Sequence, residues 1–295
     1  MHASSGSHDS FLDRCKPVTI ADKPIFDRYL KAYPPVISEL TFTNIFAWAE
    51  VKHHLYCECD KHLLVTYRDA KSILYLLPPV GPNPLHIMEK PVMGCRHYRW
   101  SRISEHLAHT ASLGIHPVYD RKNSDYVYAI ADLRALAGKK YDGKRNFIRR
   151  CMKFGAEVRS LRASDAVECL RIQEQWLEHQ KGNPSARDES TALMKTLEHL
   201  ARLDVQGIVV MIDGKLAGFA IGEPLNATTF VEHFEKGLPD VTGMYPFLLH
   251  AFAKSIPDSF TFLNREQDLG IEGIRKAKES WHPAFLERKY TLRMP

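Results

Sequence analysis

No apolar run in this 295-residue chain approaches the roughly 20 residues needed to span a bilayer, so any membrane contact is expected to be peripheral. The N-terminus, MHASSGSHDS, lacks the basic start and apolar centre of a secretory signal, and residues 1–15 read as a disordered tail. Cysteine is sparse. Its six copies, at 15, 57, 59, 95, 151 and 169, follow no regular framework, which points to reduced thiols in a cytoplasmic protein. One stretch, HHLYCECDKH, gathers His53, His54, Cys57, Cys59 and His62. Cys57 and Cys59 alternate within a strand pattern, whereas structural zinc sites use Cys pairs two to four residues apart. They are read as hairpin residues, and no metal is expected. No short-period repeat is visible either.

What is present is an ordinary globular composition, 44% hydrophobic and 25% charged, at a length that suits two domains. The division expected is 16–135 and 136–295. The net charge of +5 is unevenly placed: residues 139–162 hold nine Lys/Arg against Asp142 and Glu157, a local +7. A concentrated basic segment on a near-neutral chain points to a phosphate-bearing partner, such as nucleic acid or an anionic lipid. At 100° per residue, KRNFIRRCMKF places Phe147, Ile148, Cys151, Met152 and Phe154 on one side of a helix and Arg145, Arg149, Arg150 and Lys153 on the other. The apolar side is expected to dock and the basic side to face outward. A solvated face without a ligand is the plain alternative.

Punctuation and periodicity outline the elements. Thr43 is placed to cap a short helix in TFTNIFAWAE. Strands are expected at 54–59, 62–67 and 72–77, a helix at 100–113, and strands near 116–119 and 126–130. After the basic helix come a strand at 156–161, helices at 164–181 and 188–203, and two strands joined at Asp213-Gly214, a strong hairpin signal. A strand ATTFVEHFEK, a helix at 243–256, a short strand FTFLN, the segment NREQDLGIEGIRKAKES and a closing strand FLERKYTL complete the chain.

The element order of residues 164–293, with IDGKLAGFAIGE as central hairpin, resembles the GCN5-related N-acetyltransferase fold. The first half reads as a degenerate copy. The expected fold class is therefore α/β (α+β), with two tandem acetyltransferase-like domains whose mixed sheets are flanked by helices. The family's pyrophosphate loop, Q/R-x-x-G-x-G/A, is missing after the fourth strand; GLPDVTGMY stands there instead. Four stretches, ELTFTNIFAW (39–48), KRNFI (144–148), VEHFEKG (231–237) and NREQDLGIEGIRKAKESWHP (264–283), carry a sharper resemblance. They resemble the bacterial family built on the C-terminal domain of phosphatidylglycerol lysyltransferase, over roughly residues 16–293. The resemblance implies an acyltransferase that uses aminoacyl-tRNA as co-substrate, with acetyl-CoA the less favoured donor, and a phospholipid or another small acceptor.

Aminoacyl transfer needs a base, a donor to the developing oxyanion and cations for phosphate. In FVEHFEK, alternation puts His233 and Glu235 on one strand face, about 7 Å apart, and either serves as a candidate base. Against this stands a buried ion pair of Glu235 with Arg265 or Lys236. Asp268 is placed to cap a helix and is a further catalytic candidate, and Arg275 and Lys278 are placed to grip a phosphate from one helix face. Asn264, Arg265 and Glu266 lie just past a strand, where open α/β folds place ligand contacts. Lys144, Arg145, Asn146 and Arg149 are the substrate-binding candidates of the basic segment. A capping and salt-bridge network uses the same residue types. The mid-chain and C-terminal cations are expected to converge on a single hollow. Two other readings stay open: an acyl-CoA-dependent N-acyltransferase, and a non-catalytic module that binds nucleic acid or an anionic membrane.

Overall fold

The computed structural model describes residues 11–69, 71–92, 94–95, 97–111, 114–180 and 183–294. Its first half opens with β1 (Lys16–Pro17) and helices α1 (Lys23–Ala32), α2 (Phe42–Ala47) and α3 (Ala49–Lys52). Strands β2 (Leu55–Cys59), β3 (His62–Arg68) and β4 (Leu74–Leu76) follow, then α4 (Pro84–Met88), β5 (Tyr98–Ser104), α5 (Glu105–Thr110), β6 (Val118–Tyr119), β7 (Asp125–Ala129) and α6 (Ile130–Ala135). The second half comprises α7 (Asp142–Met152), β8 (Glu157–Ser160), α8 (Ala166–Glu178), α9 (Pro184–Glu198), β9 (Gln206–Ile212), β10 (Lys215–Pro224) and β11 (Thr229–Gly237). It ends with α10 (Met244–Ser255), β12 (Phe262–Asn264), α11 (Glu272–Glu279), β13 (Phe285–Glu287) and β14 (Lys289–Arg293).

Among the described residues two seven-stranded sheets form, in the orders β1-β2-β3-β4-β5-β14-β6 and β13-β7-β12-β11-β10-β9-β8. Read from β1 and from β8, they share one plan. Four antiparallel strands lead to one parallel pair, β4 with β5 or β11 with β12. The next strand is borrowed: β7 leaves the first half to sit in the second sheet, and β14 returns from the chain end to the first. The two halves are tandem acetyltransferase-like units that exchange a strand, and the expected division at 135/136 leaves β7 and β14 each on the far side of it. The closing strand FLERKYTL accordingly divides, Phe285–Glu287 pairing with β7 and Lys289–Arg293 with β5 and β6.

Helices cover both faces of the second sheet. On one face Phe230, Leu263 and Ala220 pack with Leu248, Phe252 and Ile148 of α10 and α7; on the other, Phe219, Ile221 and Phe234 pack with Ile172, Leu193 and Leu197 of α8 and α9. The expected hairpin is present, with Asp213 and Gly214 both at positive φ (49° and 73°), as a tight turn matched to strand twist requires. Several local expectations change. Residues 98–104 form a strand rather than the start of a helix, because β4 and β14 bond to both of its edges; the helix is confined to 105–110. Thr41, not Thr43, caps α2 by accepting from Asn44 N (3.0 Å), and Thr43 is buried one turn in. Only Ile148 and Cys151 of α7 are buried, since the helix meets α10 along a narrow stripe, and Phe147, Met152 and Phe154 stay exposed. Residues 1–10 of the expected tail lie outside the described residues, while Phe11–Arg14 form a 3-10 turn that buries Phe11 under the first sheet.

Candidate functional site

Strands β11 and β12 pair in parallel only from Thr229↔Phe262 to Val231↔Asn264; beyond these residues they part and leave a wedge at their carboxyl ends. Wedges of this kind are where open α/β sheets admit ligands. Within the wedge β11 is bulged. Its pairing with β10 steps from Ile221↔Phe234 to Gly222↔Glu232, so His233 is the extra residue. A bulge breaks the two-residue alternation of side chains. Glu232 and Glu235 consequently reach the same arginine, Arg265, whose Nε bonds Glu232 and whose second terminal nitrogen bonds Glu235. His233 meets Glu223, Glu266 and Thr41 instead. The expectation that His233 and Glu235 share a face is thereby overturned, because a strict period of two does not survive the inserted residue.

The Glu232–Arg265–Glu235 cluster is a buried, charge-balanced arrangement with unused capacity. Glu232 Oε1 and Glu235 Oε1 are both buried without a hydrogen-bond partner. Burial pushes the Glu235 carboxyl up to about 8, reinforced by Glu232 and opposed by Arg265. Burial works against the Arg265 charge too, but Glu232 and Glu235 outweigh it and hold the guanidinium ionised. Lys278, from α11, donates to the Arg265 carbonyl, and burial with the repulsion of Arg265 lowers its ammonium to about 8. Lys144, from α7, donates to Ser280 Oγ (2.6 Å) and lies 4.5 Å from the centre of the Trp281 ring; burial, then Arg265, lowers it as well. Tyr128 sits beneath Arg265, 6.0 Å from ring centre to guanidinium, and its hydroxyl donates to the Lys278 carbonyl (2.8 Å). Near pH 8 the cluster thus holds a carboxyl able to give a proton and an amine able to take one, each about half titrated.

On the opposite side of the bulge, His233 is held between two carboxylates, Glu266 at Nδ1 (2.8 Å) and Glu223 at Nε2 (2.9 Å). Burial disfavours its charge, but these two partners prevail and raise the imidazole to about 9. An imidazolium that donates from both nitrogens is an anchor, not a free base. Glu266 also accepts from Asn44 Nδ2 (3.0 Å) of α2. Thr41 and Glu223 line a cavity of about 320 Å³, whose apolar wall includes Leu40, Phe42 and Leu225.

The remaining candidates divide among other environments. Asn264 bonds Asp125 (2.9 Å) and receives the Glu266 amide (2.8 Å). Asp268 does not cap α11, which starts at Glu272; it is fully buried and holds Arg275 (2.7 Å), Arg121 (3.0 Å), the Tyr126 hydroxyl (2.7 Å) and the Gly270 amide (2.8 Å). These partners overcome burial and hold its carboxyl down at about 2. Arg275 is therefore spent on Asp268 and does not join Lys278 in gripping an anion. Arg145 bonds Asp142 and the carbonyls of Leu136 and Gly138, Asn146 is exposed, and Arg149 projects from α7 toward α10 rather than toward the wedge. The expected single hollow is in fact two regions, and only Lys144 of the basic helix reaches the C-terminal cluster. Glu232, Glu223, Thr41, Asn44 and Tyr128 carry no site signal in the sequence, although the first four lie in the stretches that bear the family resemblance or the central hairpin; only the bulge and the long-range contacts give them a role. In the hairpin expected of HHLYCECDKH, His54 Nδ1 bonds the Ile45 carbonyl (2.8 Å) and His62 Nδ1 the Asp60 carbonyl (2.7 Å).

Residues 30–293 match the family described as phosphatidylglycerol lysyltransferase, C-terminal. A crystal structure of a conserved protein of unknown function from Bacteroides thetaiotaomicron is 26% identical, covers 95% of this chain and 99% of its own, and superimposes with a TM-score of 0.88. The C-terminal domain of a putative lysylphosphatidylglycerol synthetase from Agrobacterium fabrum (12% identity, 94% and 93% coverage, TM-score 0.64) shares the fold. So does L-PGS from Bacillus licheniformis (14% identity, 92% and 91% coverage, TM-score 0.63). An uncharacterised protein of Mycoplasmoides gallisepticum is 22% identical over 186 residues, and the match spans 60% of this chain and 58% of that protein's length. Among the described residues no helix is long and apolar enough to cross a membrane. With the tandem, strand-exchanged units and a family match over most of its length, the chain belongs to the family of phosphatidylglycerol lysyltransferase C-terminal domains.

Proposed function

We propose that this chain transfers an aminoacyl group from aminoacyl-tRNA to a phospholipid or another small acceptor, at the Glu232–Arg265–Glu235 cluster. One observation carries the reading: two buried carboxylates share one arginine at the mouth of a strand wedge, and each keeps an oxygen without a partner. In the reaction the acceptor hydroxyl or amine attacks the ester carbonyl, the bond from that carbon to the ribose oxygen breaks, and a new ester or amide forms. The proton lost by the acceptor ends on the ribose oxygen. Glu235, neutral near pH 7, is the group suited to protonate the leaving oxygen, and Lys278, partly neutral there, the group suited to accept the acceptor's proton. Arg265 pairs with Glu232 beside them, while Tyr128 lies under Arg265 and Lys144 packs on Trp281.

The acyl-CoA alternative draws less support. GLPDVTGMY carries no pyrophosphate loop, and its Gly243, at φ 89°, caps α10 with its α-carbon against the Phe147 carbonyl. The decisive experiment incubates radiolabelled aminoacyl-tRNA with the protein and phosphatidylglycerol vesicles or a peptide acceptor. Label should move to one acceptor, and Glu235→Gln should slow transfer by about 10²- to 10⁴-fold. Failure with every charged tRNA, together with calorimetric binding of acetyl-CoA, would favour the N-acyltransferase. Failure of both transfer and acetyl-CoA binding would leave a non-catalytic binding module.

A further inference from the structure

A second cavity, of about 310 Å³, opens where α6, α7 and α10 meet, and basic side chains line it from all three helices: Arg134, Arg145, Arg149, His250 and Lys254. Their partners divide them into two groups. Arg134 holds the Ala253 carbonyl (2.9 Å), the Ile256 carbonyl and Asp258, and Arg145 holds the Leu136 and Gly138 carbonyls and Asp142. These two arginines close the C-terminal ends of α10 and α6, where backbone carbonyls lack helical partners. Arg149 and Lys254 are exposed and have no ion pair among the described residues. His250 donates from Nδ1 to the Leu133 carbonyl (2.8 Å) and burial keeps the ring neutral, which leaves Nε2 as an acceptor suited to a sugar hydroxyl rather than to the phosphate. The floor is apolar, formed by Leu136 and Ile148, and among the described residues no carboxylate lines the cavity. Two unpaired cations, two anchored guanidinium groups and an imidazole around an apolar floor form a site for a phosphate group with its attached sugar.

We propose that this cavity seats a backbone phosphodiester of RNA, so that tRNA is held on the α6–α7–α10 side while its charged end is delivered to the wedge; the choice of tRNA rests on the transferase reading. An RNA strand fits better than a lipid headgroup because the positive surface continues past the cavity. Exposed Arg150 and Lys153 extend it along α7, and Lys139 and Lys140 precede that helix. The 11 residues of α7 span about 16 Å, longer than one headgroup and long enough to follow more than one phosphate of a strand.

The test measures binding of deacylated tRNA across a series of salt concentrations, for the intact chain and for Arg149→Ala/Lys254→Ala. Neither side chain supports the fold, so the thermal transition should not move. Affinity at about 0.1 M salt should fall by tens of fold, and the slope of log K against log salt should drop by about two. A charge-matched control, Lys71→Ala/Lys215→Ala, changes exposed lysines on other elements and should alter neither. Equal losses in both double variants, or no loss in the first, overturn the proposal. So does a loss of binding to phosphatidylglycerol vesicles with tRNA affinity unchanged, which would assign the cavity to lipid phosphate. Glu235→Gln should keep full tRNA affinity; a chain that binds tRNA through this cavity yet transfers nothing leaves the proposal standing and removes only the transferase reading.

Discussion

At the scale of single residues, burial and pairing set opposite proton affinities within a few ångströms. Glu235 rises from the ordinary 4.5 to about 8 and His233 from 6.5 to about 9, so both keep a proton in the fold where the unfolded chain has released it. Their contribution to stability is present in full below about 4.5 and 6.5 and is lost as pH climbs to about 8 and 9. Lys278, lowered from 10.5 to about 8, acts in the other direction, disfavouring the fold below 8 and ceasing to do so by 10.5. The urea midpoint should therefore fall between pH 6.5 and 8, and Glu235→Gln should make the decline between pH 4.5 and 8 shallower. An unchanged slope in that variant would show that Glu235 ionises normally. Arg265→Met should destabilise by about 3 to 5 kcal/mol at pH 8, since it leaves two buried carboxyls unbalanced, and adding Glu232→Gln should restore part of the loss. Most of these residues stand in VEHFEKG and NREQ and are visible as motif positions. Their pairing is not, because nothing local marks His233 as the residue that a bulge will insert.

Among the elements, the same limit appears at α7 and β5. The charge run of α7 is legible from composition, but its division between a wedge (Lys144) and a separate cavity (Arg149) depends on where α10 and α11 dock. YRWSRIS reads as a helix start on local grounds and becomes a strand because neighbours bond to both edges. The start of α10 offers a sharp test. Gly243 sits at φ 89°, and a Cβ there would overlap the Phe147 carbonyl of α7. Gly243→Ala should cost about 2 kcal/mol or more, through left-handed strain combined with displacement of α7, and should lower the melting temperature measurably. A neutral substitution would mean that the α7–α10 contact is loose.

For the whole molecule, the strand exchange is the controlling feature. Lys289 of the returning β14 is fully buried and pairs with Asp125 of the departing β7 (2.6 Å) and with Glu39, while Ser38 and Asn264 complete Asp125. The two exchanged strands thus meet in one buried ion network between the units. The repeat extends to detail: Arg102 and Glu266 each lie two residues past the last parallel partner, at φ 59° and 57°. Lys289→Met should cost about 3 to 5 kcal/mol by leaving Asp125 without a cation, while Glu39 keeps Arg102 (2.8 Å). Because neither sheet is complete without the other half, calorimetry should give one cooperative transition. Two well-separated transitions would contradict a shared core.

From the sequence alone came the α/β class, the tandem units, the hairpin at Asp213-Gly214, the basic segment and the family, since each is written in periodicity, turn chemistry, composition or a contiguous motif. Which strand completes which sheet, which carboxylates share Arg265, and which cations remain unpaired were decided only in the folded chain. Those outcomes depend on contacts between residues from thirty to well over a hundred positions apart and on a single inserted residue, and neither leaves a local pattern to read.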